Sequence, residues 1–120
     1  MAAPNIVKVA SIYGKTVGLA PTTTATAIVT NAASSGKVLK VNSLIISNIN
    51  GSNAYSITAD VYKNQTTSFR IAYLVSVPAT ATLVLLSKES AIYLEENDSI
   101  RLTASANSTL EALCSYEEIY

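Results

Sequence analysis

The fold is decided by the stretch Tyr55-Ser56-Ile57-Thr58-Ala59-Asp60-Val61-Tyr62, in which apolar and polar side chains alternate. Successive side chains of a β-strand point to opposite faces of a sheet, so this alternation predicts a strand with one buried face. The apolar face carries Tyr55, Ile57, Ala59 and Val61. We therefore expect Ile57 to lie in the core and Thr58 to lie on the surface.

Strand signals recur along the rest of the chain, with the same alternation or with runs of β-branched residues. They cover residues 6–13, 24–30, 38–49, 69–77, 83–86, 91–94, 100–106 and 110–119. Turn-forming segments such as Asn50-Gly51-Ser52-Asn53 separate them, and Gly14 and Gly18 are also interpreted as turn residues. A short helix is expected near Lys88–Ser90.

This spacing of strands and turns predicts an all-β protein, a single antiparallel β-sandwich of about eight strands. Jelly-roll and immunoglobulin-like topologies fit the pattern equally well. The sandwich domain is expected to span residues 1–120, with residues 1–5 as a flexible N-terminal arm.

The composition indicates a surface with few charges. Hydrophobic residues make up 49% of the chain and charged residues only 13%, with a formal net charge of zero. Depletion of charge is the signature of protein interfaces, although a β-rich protein with outward Thr and Ser would look similar. The basic residues are scattered, which argues against nucleic-acid binding, and no apolar stretch is long enough for a transmembrane helix.

Catalytic chemistry finds little support in the residue types. The chain has no histidine and no tryptophan, so His-based catalysis and His-type metal sites are excluded. Cys114 is the only cysteine and is expected to be a small buried hydrophobe. Glu117 and Glu118 would point to opposite faces of a strand, and the acidic turn at 95–98 is either solvated or a loose calcium site. We predict no enzyme, no cofactor, and no catalytic or metal-binding residues.

Tyrosine is the most informative aromatic residue, with seven copies against one phenylalanine. The alternation places Tyr55, Tyr73 and Tyr93 inward. Tyr62 points outward and Tyr120 ends the chain, so these two are candidate interface residues; ordinary strand filling is the alternative reading.

Several segments resemble small virion structural proteins of marine and cyanobacterial tailed bacteriophages. The resemblance covers most of the chain, and its motifs are structural rather than chemical. They are Met1-Ala2-Ala3-Pro4-Asn5-Ile6-Val7, Asn31-Ala32-Ala33-Ser34-Ser35-Gly36-Lys37-Val38, Val77-Pro78-Ala79, Leu83-Val84-Leu85-Leu86, Ile92-Tyr93-Leu94-Glu95-Glu96-Asn97-Asp98-Ser99-Ile100-Arg101 and Cys114-Ser115-Tyr116-Glu117-Glu118-Ile119.

The resemblance implies a repeated subunit of the virion, made in the host cytoplasm. A capsid decoration (cement) protein is the first expectation. A neck, tail or baseplate adaptor is the alternative, and a carbohydrate- or host-surface-binding module is a third. The expected partners are copies of the chain itself, as a trimer, and the major capsid protein or a neck or tail protein, with no nucleic acid and no membrane.

Overall fold

A computed structural model describes residues 4–120, and its secondary structure is almost entirely β. The strands are β1 (Ile12–Leu19), β2 (Thr26–Thr30), β3 (Val38–Asn48), β4 (Tyr55–Lys63), β5 (Thr67–Val77), β6 (Thr82–Leu86), β7 (Ile92–Leu94), β8 (Ser99–Ala104) and β9 (Leu110–Ile119). A single 3₁₀ turn, Lys88–Ser90, stands between β6 and β7 and agrees with the expected short helix.

Two antiparallel sheets make up the sandwich. Sheet A has the order β1-β9-β3-β6, with β7 also paired to β3, and sheet B has the order β2-β8-β4-β5. β6 and β7 pair with successive parts of β3, so together they form one edge strand that the 3₁₀ turn interrupts. When β6 and β7 are counted as one strand, the order of the strands in the two sheets is that of a jelly roll. The predicted antiparallel β-sandwich is confirmed, with the first of the two expected topologies.

The core lies between the two sheets and is built from aliphatic side chains. The fully buried members include Val41, Leu44, Ile46, Ile57, Leu94, Ile100, Leu102 and Leu110. Cys114 lies among them, and burial raises the pKa of its thiol to about 11. The predictions that Ile57 and Cys114 are core residues are confirmed.

Thr58 and Asp60 point away from the core, as predicted, yet both are buried, with exposed fractions of 8% and 2%. Neighbours on the outer face of sheet B cover them. Arg70 and Arg101 close over Asp60, and Thr58 accepts a hydrogen bond from the N–H of Leu74 at 3.1 Å. The prediction that Thr58 is a surface position is wrong. Alternation shows which face of the sheet Thr58 occupies, but it does not show whether neighbouring residues cover that face.

The first strand is displaced from its predicted position. Residues 6–11 precede β1, and Gly14 and Gly18 lie inside it rather than in a turn. Neither glycine has a positive φ, and a Cβ atom added at Gly14 would meet no atom within 4 Å. β1 is an edge strand and much of it faces solvent. A glycine there loses few packing contacts because it has no side chain to bury.

Two tyrosines expected to point inward are exposed. Tyr73 is 64% exposed because register shifts in β5 turn it outward, and Tyr93 is 46% exposed because it pairs with Lys40 on the outer face of sheet A. The placement of Tyr55 is confirmed, since it packs against the core. Of the predicted N-terminal arm, residues 1–3 lie outside the described residues; Asn5 accepts a hydrogen bond from the N–H of Lys8 in a short turn.

Candidate functional site

Within the described residues, the loops at one end of the sandwich carry no ionisable side chain. Its four loops are residues 20–25, 49–54, 78–81 and 105–109, and all are Ala, Pro, Thr, Ile, Asn, Gly or Ser. We call this surface the uncharged end. It exposes one large aliphatic side chain, Ile49, which is 54% exposed.

Hydrogen bonds between the loops fix the shape of the uncharged end. The N–H of Thr23 donates to Oδ1 of Asn107 at 3.0 Å, which joins the first loop to the last. The N–H of Thr80 donates to the carbonyl oxygen of Asn50 at 3.2 Å. The buried side chain of Asn48 donates from Nδ2 to the carbonyl oxygens of Asn53 and Val77, at 3.0 and 2.9 Å. The N–H of Ile49 donates to the carbonyl oxygen of Thr109 at 3.0 Å, so all four loops form one connected surface.

The outer face of sheet A extends this surface along the strands. A row of apolar or small residues crosses four paired strands at one level: Val84, Ile45, Leu113 and Gly18. Val84 is 59% exposed and Leu113 is 49% exposed. The sequence analysis did not identify this row. Its signal is the period-two pattern of β9, in which Glu111, Leu113 and Ser115 alternate with buried residues and so lie on the outer face.

An open pocket of about 420 Å³ lies where the outer face of sheet A meets the uncharged end. Its lining is Gly18, Leu19, Ala20, Ser47, Glu111, Ala112 and Leu113. Glu111 supplies the one carboxylate of that lining and Ser47 the one hydroxyl. Such a lining can hydrogen-bond a neutral polar ligand, and its volume lies in the range of small-molecule pockets.

The opposite end carries charges, and Asp98 organises it. Its carboxylate accepts hydrogen bonds from Nζ of Lys63 at 2.6 Å and from the N–H groups of Asn64 and Glu95 at 2.9 and 3.1 Å. Burial opposes ionisation, but these hydrogen bonds outweigh it and lower the pKa of Asp98. Asp98 thus ties the acidic turn to the β4–β5 hairpin, and no metal-binding group of three side chains occurs within residues 4–120.

The candidate interface residue Tyr62 lies on the outer face of sheet B. The guanidinium of Arg101 stacks over its ring at 3.8 Å from the centroid, and Arg101 also donates from Nε to Asp60 at 3.0 Å. Arg70 reaches Asp60 from the other side at 2.9 Å and lies over the ring of Tyr73. This combination of Arg and Tyr is typical of binding hot spots.

The other candidate, Tyr120, lies beside sheet A at the charged end. Its ring is 5.8 Å from that of Tyr13, and Nζ of Lys37 lies 5.0 Å above it. The neighbouring Glu118 accepts hydrogen bonds from Lys37 and Lys15, which lower its pKa although burial opposes this. Tyr62 and Tyr120 are not brought together, and their interface role stays a prediction.

Comparisons with known proteins leave the site to be interpreted from its geometry. No protein-family model matches the chain, and no curated protein matches it either. Across the part of the chain that the structure describes, no helix is long and apolar enough to cross a membrane.

Proposed function

We propose that this protein is a capsid decoration subunit of a tailed bacteriophage, which binds the assembled shell and neighbouring copies of itself. The observation that carries the proposal is the uncharged end, with its four hydrogen-bonded loops and no ionisable side chain. The resemblance of several segments to virion proteins of marine and cyanobacterial tailed phages supports the same role.

An uncharged surface suits close contact with a large partner. Burying a charge at an interface costs several kcal/mol unless it is paired, so interface centres are depleted of charged residues. The loops of the uncharged end already hydrogen-bond to one another, through Thr23, Asn50 and Asn48 among others. Little conformational entropy is then lost when the partner binds, and this favours affinity.

Charged side chains are also distributed unevenly between the two ends of the molecule. The sandwich is elongated, with extents of 49 × 26 × 20 Å. Two separate ion pairs, Lys63–Asp98 and Lys37–Glu118, lie at the end opposite the uncharged loops. We infer that the uncharged end contacts the shell, while the charged end stays hydrated and keeps the outside of the particle soluble.

Charged substitutions in the exposed loop 49–54 test this docking surface. We expect Ile49→Lys and Ser52→Lys each to weaken binding to shells assembled without the protein by at least about tenfold, because an unpaired buried charge costs more than about 1.4 kcal/mol. Both positions are exposed, so the fold should persist, as circular dichroism can verify.

The matched control is Thr67→Lys, an exposed position at the first residue of β5 near the charged end. We expect this variant to bind shells as the unmodified protein does. Cosedimentation of each protein with the shells measures binding. Equal affinity of all three variants would show that the uncharged end does not contact the shell.

A second candidate function, binding of a neutral carbohydrate, is favoured by the pocket beside Gly18. A Cβ atom added at Gly18 would lie at an ordinary contact distance of 3.5 Å from Leu113, so Gly18→Val should fold and extend into the pocket. Gly14→Val lies on the same strand and face but outside the pocket lining, and is the control. Saturable oligosaccharide binding that only Gly18→Val abolishes would support this function; no binding by the unmodified protein would exclude it.

A further inference from the structure

The first strand of sheet A leaves one edge unpaired. β1 pairs with β9 alone, and the pairing has no register shift from Ile12 to Leu19. Just before β1, Ser11 and Tyr120 exchange both backbone hydrogen bonds, at 2.7 and 3.0 Å. Hydrogen-bonded and non-hydrogen-bonded pairs alternate along an antiparallel ladder, so the odd-numbered residues of β1 bond to β9. The backbone N–H and C=O groups that point away from β9 are those of Ile12, Gly14, Thr16 and Gly18.

The other sheet edges of the described chain are protected against pairing. β2 is short, with a register shift beside Ile28. β5 has two register shifts, and its Leu74 has a φ of 51°. The edge formed by β6 and β7 is interrupted by the turn Lys88–Ser90. Short edges, bulges and interruptions are the features by which natural sheets avoid adding strands. Within residues 4–120, β1 alone offers a long and regular edge.

We propose that β1 pairs antiparallel with β1 of a second copy of this chain, about a two-fold axis at Thr16. The two A sheets then form one continuous sheet across the dimer. This inference goes beyond the decoration role and does not depend on it, because the dimer is expected in solution without any shell. The proposed dimer is two-fold symmetric, and so differs from the trimer that was expected from the sequence.

The free edge is sterically open to a second copy. Two of the four residues whose backbone groups point outward are glycines, Gly14 and Gly18. Every residue of β1 from Ile12 to Thr16 is exposed. The formal net charge of the chain is zero, so two copies approach without long-range repulsion.

The register follows from the side chains that would face each other. An axis at Thr16 pairs Gly14 with Gly18, Lys15 with Val17, and Tyr13 with Leu19. It also places the two Thr16 side chains opposite each other, a favourable cross-strand pair. An axis at Lys15 would set two ammonium groups directly opposite, which is destabilising, and axes farther along the strand shorten the overlap.

The charge of Lys15 does not prevent this pairing. Its Nζ lies 3.3 Å from the carboxylate of Glu118 in the same copy, which Lys37 also contacts, so its charge is partly balanced within that copy. In the proposed register, Val17 of the second copy stands opposite Lys15. The outer faces of the two A sheets then meet through Thr16, which already hydrogen-bonds to Ser115 at 3.3 Å.

Introducing a charge at the axis is the first test. Analytical ultracentrifugation of the unmodified protein at about 100 µM should detect a dimer, since small interfaces give weak complexes. Thr16→Lys and Thr16→Glu should each be monomeric, and an equal mixture of the two should form a dimer again. The control Val84→Lys changes the same face at the opposite edge of the sheet and should leave the dimer intact. An unmodified protein that stays monomeric, or a Thr16→Lys dimer, would overturn the proposal.

Cross-linking tests the register independently of any charge effect. Directly opposed residues of a hydrogen-bonded pair have Cα atoms about 5.5 Å apart, within the range of a disulfide. We expect Thr16→Cys to form a covalent dimer on mild oxidation. Ile12→Cys should not, because the proposed register places it opposite Ala20, and the native Cys114 is buried. Equal cross-linking of both variants, or of neither, would contradict the two-fold axis at Thr16. Shell binding is measured separately, so either proposal can fail alone.

Discussion

At the scale of single residues, buried polar side chains hold the loops of this small sandwich in place. Asn31 is 1% exposed and donates from Nδ2 to the carbonyl oxygens of Lys37 and Leu94 at the charged end. Asn48 does the same at the uncharged end, and Asp98 binds the acidic turn to the β4–β5 hairpin. A buried polar group is costly unless it is hydrogen-bonded, so these residues favour one arrangement of the loops over others.

Asp98→Asn should lower the free energy of unfolding by about 2 kcal/mol, because hydrogen bonds to a charged acceptor contribute more than neutral ones. The variant keeps the size of the side chain but loses the charge that binds Lys63. Urea unfolding at neutral pH measures the difference. Glu95→Gln is the control, because its side chain is 71% exposed and 3.7 Å from Lys63; we expect a change within about 0.5 kcal/mol.

The same substitution predicts a pH dependence. The pKa of Asp98 is lower in the folded protein than in the unfolded chain, so its ionised form stabilises the fold at pH values above the unfolded pKa. This stabilisation is lost as the pH falls through the folded pKa. The stability difference between the unmodified protein and Asp98→Asn should therefore shrink in acid. A difference that stays constant down to strongly acidic pH would contradict this role of Asp98.

These residue roles were only partly predictable from the sequence. The turn at 95–98 was recognisable, but its two readings were a solvated loop or a loose calcium site. The partner of Asp98 is Lys63, 35 positions away in the chain. Local pattern cannot show that contact, because it depends on the pairing of β4 with β8 in sheet B, which sets Tyr62 opposite Ser99.

At the scale of elements, alternation predicted the strands well where one face meets the core. The final strand β9 spans Leu110–Ile119, within the range read from its pattern, and β4 begins at Tyr55 as expected. The prediction was wrong for β1, whose exposed residues are under little pressure to alternate. It was also wrong for Tyr73, because register shifts in β5 change which face a residue occupies.

Gly14 and Gly36 should respond in opposite ways to substitution by valine. Gly14 lies in β1 with open space around it, so Gly14→Val should leave stability unchanged or raise it by up to about 1 kcal/mol. Gly36 has a φ of 71°, a conformation that L side chains rarely adopt, so Gly36→Val should cost about 1–2 kcal/mol. Urea unfolding at low protein concentration compares them. Equal destabilisation would contradict the open space described around Gly14.

At the scale of the whole molecule, the sequence predicted the class of fold more firmly than the surface. Period-two patterning and turn spacing led to an antiparallel sandwich, but the choice of a jelly roll required the strand order. The low charge of the chain was visible in the composition. The absence of charge from the loops at one end was not visible in the composition, because these four loops are far apart in sequence and meet only in the fold.

The copy number of this protein in purified virions tests the proposed decoration role most directly. A subunit that covers the shell repeats with the capsid lattice, so quantitative gel densitometry should find hundreds of copies per particle. A neck, tail or baseplate adaptor would be present in a few to a few tens of copies, and that result would contradict the decoration role.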